Sequence, residues 1–380
     1  MAILSDATRN RQIGRAAERP AATEGLVART RRRGRGVKSN RSGRYERLDR
    51  FDIDDGWGSI DALDRFKRQV TDEAPKSIIT KNTSPDLAFD RSINPYRGCE
   101  HGCVYCYARP THAYLGHSPG LDFETRLYAK PEAAALLEDE LSARGYVPRA
   151  IALGTNTDPY QPLERERRIT RSVLDVLARA RHPVGIVTKS GLVTRDLDLL
   201  SDMAAQGLVK VALSITTLDP KLSRAMEPRA SAPHVRLQAL KQLSEAGVPT
   251  VVMTAPVIPG LNDEEIETIL ARAAAAGARE AGYILLRLPL EVAGLFREWL
   301  HEHVPDRAAK VLKLIRSTRN GKENDARFGR RMRGTGPIAW TIGRRFELAA
   351  RRERLNTDVI RLRTDLFMPP VKKGGQLRLL

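Results

Sequence analysis

Residues 99–106 read Cys99-Glu-His-Gly-Cys103-Val-Tyr-Cys106, and these three cysteines are the only ones in the 380-residue chain. Thiols gathered this closely form a ligand set, and three ligands leave a position open. On a [4Fe-4S] cluster, three thiolates leave one iron free for a substrate or cofactor, whereas a closed four-ligand site is structural. Zinc would need a fourth ligand from a histidine such as His101, His112 or His117, at a spacing that matches no common finger. A cluster serving electron transfer alone would want a fourth cysteine, and the chain has none.

Outward from the cysteines, short apolar runs alternate with helical patterns. A first strand is expected around Ser92 to Tyr96, leading into the cysteines, and five more follow. These are Ala150-Ile-Ala-Leu153, Val184-Gly-Ile-Val-Thr188, Val209-Lys-Val-Ala-Leu-Ser-Ile215, Val248-Pro-Thr-Val-Val-Met-Thr254 and Tyr283-Ile-Leu-Leu286. Between them, Val173, Leu174, Leu177 and Ala180 recur at helical spacing. So do Leu197 to Ala205, then Val235, Ala239, Leu240 and Leu243 before Gly247, then Ile266, Ile269 and Leu270. Strands that are apolar throughout, in series with helices, mean a parallel sheet covered by helices. An open doubly wound sheet and a partial barrel both satisfy this pattern. Polar residues directly after the strands (Gly154 to Asp158, Lys189-Ser190, Ser214, Pro256 to Asn262) gather at one rim, which favours the barrel.

The net charge of +18 is uneven: residues 1–50 carry +9 and residues 319–380 carry +10, so the middle of the chain is near neutral. The run Arg29-Thr-Arg31-Arg32-Arg33-Gly-Arg35 has few apolar anchors, and residues 1–55 are expected to form a basic arm that is disordered when free. Such an arm suits phosphate backbones, or serves only as a solubilising tail. Residues 304–380 form a basic extension. There Phe328, Trp340 and Phe346 among arginines suggest either packing over the barrel or a stacking surface for nucleic acid, and Leu366-Phe-Met-Pro369 suggests a docking tail. No apolar stretch approaches the roughly 18 residues that cross a bilayer, and an odd, clustered cysteine set without a secretory signal points to a reducing cytoplasm.

The motifs together resemble the radical S-adenosylmethionine (SAM) superfamily, and within it the spore photoproduct lyase group, often labelled DNA repair photolyases. Asn94-Pro-Tyr-Arg-Gly-Cys99, Cys103-Val-Tyr-Cys106-Tyr107, Gly154-Thr-Asn-Thr-Asp-Pro-Tyr-Gln-Pro162, Thr188-Lys-Ser190, Ser214-Ile-Thr-Thr and Met226-Glu-Pro-Arg229 occur in the expected order, over roughly residues 77–290. The resemblance implies an α/β fold, a partial (β/α)6 barrel over residues 77–303. It implies a [4Fe-4S] cluster on Cys99, Cys103 and Cys106 with SAM on the open iron, and an electron donor such as flavodoxin or ferredoxin. Reductive cleavage of SAM would then yield a 5′-deoxyadenosyl radical that takes hydrogen from the substrate. Gly154, Thr155 and Asn156 would meet the methionine amino group, Lys189 the SAM carboxylate, Ser214 the ribose or carboxylate, and Tyr105 the adenine. Asp158 and Glu227 would brace loops, Glu227 with Arg229 as a partner.

One departure stands out. Spore photoproduct lyase uses a further cysteine to return hydrogen to its product radical, and this chain has none; Thr155 to Glu164 covers the position where it would be expected. Tyr107 is the candidate donor in its place. The substrate is left open, with nucleic acid as the candidate that the basic flanks suggest. The other reading is a nucleic-acid-binding iron-sulfur protein whose cluster is structural or redox-sensing.

Overall fold

Each of the six expected runs forms a strand in the computed structural model, which describes residues 26–27, 31–46 and 66–371. Along the chain, β1 (Gln69–Asp72) and β2 (Ile79–Lys81) precede β3 (Arg91–Ile93) and β4 (Tyr96–Arg97). Past the cysteines come α1 (Asp122–Thr125), β5 (Arg126–Ala129), α2 (Ala133–Leu141), β6 (Ile151–Leu153), α3 (Glu164–Arg167), α4 (Ile169–Arg179) and β7 (Val184–Thr188). They are followed by α5 (Leu197–Ala205), β8 (Val209–Ser214), α6 (Pro220–Met226), α7 (Pro233–Glu245), β9 (Thr250–Val257), α8 (Ile266–Ala275) and β10 (Glu280–Leu285). Three further helices follow among the described residues: α9 (Glu291–His303), α10 (Pro305–Ser317) and α11 (Gly336–Arg352).

The main sheet has the order β10-β9-β8-β7-β6-β3-β2, in which all pairs are parallel except β2 with β3. The six parallel strands stand in chain order with no reversal. A doubly wound sheet reverses its order at a switch point so that helices cover both faces. A monotonic order with right-handed crossovers puts every helix on one face, and the other becomes the lining of a partial barrel. The α/β, partial (β/α)6 reading therefore holds. β1, β5 and β4 form a separate small sheet that the pattern did not reveal.

The helical positions named from spacing lie in one core with the strands. Val173, Leu174, Leu177, Leu240, Leu243, Ile266, Ile269 and Leu270 are all buried there. Val235 is the exception, being exposed in the first turn of α7. A second core joins Phe296, Trp299 and Leu300 of α9 and Val311, Leu312 and Ile315 of α10 to Val104 and Tyr105 of the cysteine loop. Because α9 and α10 share that core, the expected boundary between residues 303 and 304 falls inside one packed unit. Among the described residues, no helix is long and apolar enough to cross a membrane.

Both basic flanks are partly folded. Within the basic arm expected over residues 1–55, residues 31–46 have a defined place on the barrel; residues 1–25, 28–30 and 47–55 lie outside the described residues. Val37 and Ser39 are fully buried. The arm's cations meet one acidic face of α9, with Arg32 2.8 Å from Glu302, Arg41 3.2 Å from Glu298 and Arg44 2.8 Å from Glu291. Exposed pairs like these contribute about 0–1 kcal/mol each, so they orient the arm rather than anchor it. At the other end, the docking tail docks on its own barrel. The Met368 N–H donates to Ala180 O at 2.9 Å, and the Phe367 ring meets His182 edge-on with centroids 5.5 Å apart. Of the three aromatics weighed for packing or stacking, Phe346 packs on Tyr283 at 4.7 Å, whereas Phe328 and Trp340 are exposed.

His182 is fully buried, its Nε2 2.9 Å from the Tyr146 hydroxyl, and burial pushes its pKa down to about 4; burial does the same to His112. In the unfolded chain an imidazole titrates near about 6.5, so the unfolded state takes up protons first as pH falls. The stability from each neutral imidazole is therefore complete above about 6.5 and is lost as pH falls toward 4, by on the order of 3 kcal/mol per group. Urea midpoints measured across this window should fall with pH. His182→Gln should flatten the decline by about half, since His112 remains.

Candidate active site

The cysteine loop leaves β4 and has no regular structure, so its shape depends on turns and side chains. Gly98 and Gly102 take positive φ (72° and 67°), and a Cβ on Gly98 would stand 2.9 Å from Phe123 O. The Cys99 N–H donates to Phe123 O at 2.9 Å, Cys106 N–H to Cys103 O at 3.2 Å, and Val104 N–H to Met226 O at 3.0 Å. From below, the Arg109 guanidinium donates to Cys103 O at 3.0 Å and sits 2.6 Å from Glu124, with both side chains fully buried. Glu124 also accepts Gly36 N–H at 2.9 Å and Val37 N–H at 3.2 Å. The arm is thus a strap across the loop, pressed so close that a Cβ on Gly36 would stand 1.7 Å from Gly102 O.

The three thiols fit a cationic cluster. Burial raises the pKa of all three, with the charge of Asp158 adding to it at Cys99 and that of Glu227 at Cys103. Buried thiolates are favoured only when a positive centre neutralises them, which a metal cluster does. Among the described residues, no group of three His, Cys, Asp or Glu side chains is arranged to hold a metal ion. The histidines weighed for zinc are engaged elsewhere. His112 Nε2 is 2.9 Å from Arg126 O, His117 Nε2 is 2.6 Å from the Tyr128 hydroxyl, and His101 Nδ1 is 3.3 Å from Asp158.

Beside the thiols, the ends of β7 and β8 carry a buried polar cluster. The Lys189 ammonium lies 3.1 Å from Ala255 O, 3.5 Å from Glu227 and 5.7 Å from the centre of the Tyr105 ring. Tyr105 donates its hydroxyl to Glu227, and Thr216 donates to the same carboxylate at 2.6 Å. The Arg236 guanidinium completes the cluster with a contact to Glu227 and a 2.9 Å bond to Ser214 O. Although burial opposes it, Arg236 and Lys189 hold the Glu227 carboxyl well below the usual carboxylate range. Glu227 therefore pairs with Arg236 and Lys189, not with Arg229, which sits 3.2 Å from Glu100. The spacing of Arg236 within α7 gave no hint of this, because a buried cation on a helix looks like any surface arginine until its partner is known.

The loop after β6 is braced from two sides. The Asn94 side-chain Oδ1 accepts Asn156 N–H at 3.0 Å, and the Asp158 carboxylate accepts Thr188 Oγ1–H at 2.7 Å and Lys189 N–H at 2.8 Å. Asp158 is a loop brace, as expected. Gly154 has φ of 89°, and a Cβ there would stand 2.0 Å from Val187 O. Gln161 clamps the cysteine loop, accepting Glu100 N–H at 2.9 Å and donating to Gly98 O at 3.3 Å. Tyr107 donates its hydroxyl to Thr155 O, and its half-exposed ring faces the Arg287 guanidinium at 5.2 Å. So Tyr105, Lys189 and Ser214 are joined through one hydrogen-bonded cluster, while Tyr107 contacts the Gly154-Thr155-Asn156 loop.

Arg287, at the end of β10, has no role in the sequence reading. Its Nε is buried without a hydrogen-bond partner, and burial lowers its pKa, with Arg331 lowering it further. The turn carrying Arg331 binds both ends of the sheet: Leu285 N–H donates to Met332 O at 2.9 Å, and Gly329 N–H to Asp86 at 2.7 Å.

This geometry can be set beside known proteins. Residues 93–273 match the family model for the radical SAM superfamily. An uncharacterised protein of Mycobacterium tuberculosis is 39% identical over 232 residues, covering 60% of this chain and 68% of the relative. The chain belongs to the radical SAM superfamily. It is accordingly an enzyme, and its cofactors are the [4Fe-4S] cluster and SAM of that class. An uncharacterised protein of Methanocaldococcus jannaschii is 30% identical over 173 residues, 46% of this chain and 62% of that one. In fold the chain is similar to spore photoproduct lyase. The lyase with bound dinucleoside spore photoproduct superposes with a TM-score of 0.54 at 16% identity, over 74% of this chain and 79% of the lyase. As a radical SAM enzyme the chain departs from the alternative of an iron-sulfur protein without turnover.

Two outcomes follow from the packing around the loop. Glu227→Gln strands the buried Arg236 cation and should cost about 3–5 kcal/mol in urea unfolding of the cluster-free protein. Gly36→Val should lift the strap, so that trypsin cuts between Arg31 and Arg35 several-fold faster and a reconstituted cluster bleaches sooner in air.

Proposed function

We propose that Cys99, Cys103 and Cys106 hold the [4Fe-4S] cluster, that the Lys189–Glu227–Tyr105 cluster and the Gly154-Thr155-Asn156 loop hold SAM beside it, and that the substrate is a nucleic acid. When bound, these cofactors supply a one-electron cleavage of the sulfonium and thence a carbon-centred radical that takes hydrogen from the substrate. The observation that carries the reading is the juxtaposition of three clustered thiols, two of them buried and Cys106 partly so, with a buried lysine-carboxylate cluster at the rim of a partial barrel. The chain's own residues supply binding, orientation and exclusion of water.

Lys189 is already neutralised in part by Glu227, so its ammonium acts as a fixed donor whose position is set before a carboxylate arrives. That arrangement supports preorganised recognition and lowers the cost of desolvating a lone cation on binding. Ser214, whose hydroxyl accepts and donates no hydrogen bond within the described residues, is free to meet a ribose hydroxyl or carboxylate. Tyr107, with its hydroxyl on Thr155 O and its ring half-exposed, is the group we assign to hydrogen return in place of the absent fourth cysteine. An electron donor such as flavodoxin or ferredoxin would reduce the cluster. For the nucleic acid, the support is Arg287 at the mouth, which has no ion-pair partner among the described residues, and the +10 charge of residues 319–380; Arg331 beside it is paired with Asp86 at 2.5 Å.

Anaerobically reconstituted, dithionite-reduced protein should convert SAM to 5′-deoxyadenosine and methionine. Absence of both products with the cluster intact would overturn the assignment. Cys103→Ala should remove the thiolate-to-iron absorbance near roughly 400 nm.

A further inference from the structure

A cavity of about 810 Å³ lies in the C-terminal extension, away from the cysteine loop, between β10, the arginine-rich turn and the first turns of α11. One wall is Tyr283, only 6% exposed. Its hydroxyl makes no hydrogen bond among the described residues and points toward Gly343, where an added Cβ would stand 2.7 Å away. A buried tyrosine ordinarily finds a partner for its hydroxyl, so an unpaired one facing a cavity marks a place for a polar ligand. Arg333 covers the same ring at 4.1 Å and has no carboxylate partner among the described residues, whereas Arg344 on the opposite wall is paired with Glu347 at 3.2 Å.

The N-terminus of α11 opens on this cavity. The helix runs for 17 residues, and no side chain caps it, because the Thr335 hydroxyl turns to Asn320 Oδ1 at 3.1 Å. Pro337 has no N–H, so what this end offers an anion is the Gly336 and Ile338 N–H groups and the helix dipole. Gly334 and Gly336 take φ of 73° and 86°, and a Cβ there would press on Leu285 and Thr318 O or on Ser317 O, so the glycines let this turn pack against its neighbours. One turn on, Trp340 is 71% exposed, an unusual place for an indole that has nothing to cover it.

From these features we infer that the cavity binds one nucleotide unit of a single-stranded nucleic acid, its phosphate on the α11 N-terminus and Arg333, its base against Trp340, and a polar edge on the Tyr283 hydroxyl. Stacking on an exposed indole requires an unpaired base, which selects single strands over duplexes. The inference rests on the nucleic-acid reading above and gives it a place on the surface. Arg333 is two residues from Arg331, so a strand held here leads along the arginine-rich turn toward Arg287 and Tyr107 at the barrel mouth.

The test is tryptophan fluorescence of the full-length protein titrated with oligothymidylate and, separately, with thymidine monophosphate. Oligothymidylate should quench emission in the wild type, and Trp340→Ala, an exposed position that folding does not need, should abolish the quench. Arg333→Gln should weaken binding about tenfold and lower the salt slope by about one, as expected for a lost phosphate contact. Gly343→Val, which fills the cavity, should weaken binding to a similar degree, while Tyr283→Phe removes only the hydroxyl and should weaken it less. Unfolding midpoints of the variants separate lost binding from lost folding. Affinity unchanged in both Arg333→Gln and Gly343→Val overturns the inference. So does thymidine monophosphate binding as tightly as the oligonucleotide, which would make this a free-nucleotide site. SAM cleavage by the wild-type protein, measured alongside, tests the catalytic assignment separately.

Discussion

The buried pair of Arg109 and Glu124, 2.6 Å apart, is the interaction around which the cysteine loop is organised. Two charges taken out of water cost several kcal/mol each unless every remaining lone pair and proton finds a partner. Here they do. Glu124 accepts two backbone N–H groups of the strap, and Arg109 donates to the carbonyls of Cys103, Pro119 and Gly120. Three segments far apart in sequence are thereby fixed to one another, and one of them carries a thiol. A pair of this kind is weak evidence for net stability, since apolar residues of the same volume would pack as well. Its value is geometric: it dictates where Cys103 stands in a loop that has no helix or strand to position it.

The same device recurs around the site. Glu100 takes Arg68 at 3.3 Å and Arg229 at 3.2 Å, Asp158 takes His101 and the end of β7, and Glu227 takes Arg236 and Lys189. Each buried carboxylate ties the cysteine loop or its neighbours to a different strand end. The barrel supplies the rim, and carboxylates turn the rim into a site.

This explains what was legible in the sequence. The six strands were, because parallel strands buried on both faces must be apolar throughout, and Val209 to Ser214 cannot be read as anything exposed. The loops at Gly154, Lys189 and Ser214 were, because polar residues directly after such strands have one rim to occupy. The strap was not. Its two buried valines, Val27 and Val37, are too few to show a periodicity, and what holds it is a complement of backbone N–H groups and cations to acidic residues distant in sequence, on α1 and α9. Composition alone makes residues 31–46 read as a disordered arm. Arg236 and Arg287 were hidden for the same reason: a single sequence shows that an arginine is present, but not whether a carboxylate waits for it.

The two basic flanks, alike in composition, differ physically. Arg32, Arg41 and Arg44 meet Glu302, Glu298 and Glu291, so the described part of the N-terminal arm has its charge answered within the molecule. A polyanion would have to compete with α9 for these cations. On the C-terminal side some arginines are also paired, Arg327 with Asp325, Arg331 with Asp86 and Arg345 with Glu267, but Arg287 and Arg333 face aromatic rings and form no ion pair among the described residues. An arginine over an aromatic face keeps its hydrogen-bond donors pointing outward, held in plane by the ring and unspent on any acid. Net charge ranks the two flanks equally; the pairing of individual cations does not, and it places the field that an anionic substrate would feel at the C-terminal side of the barrel mouth.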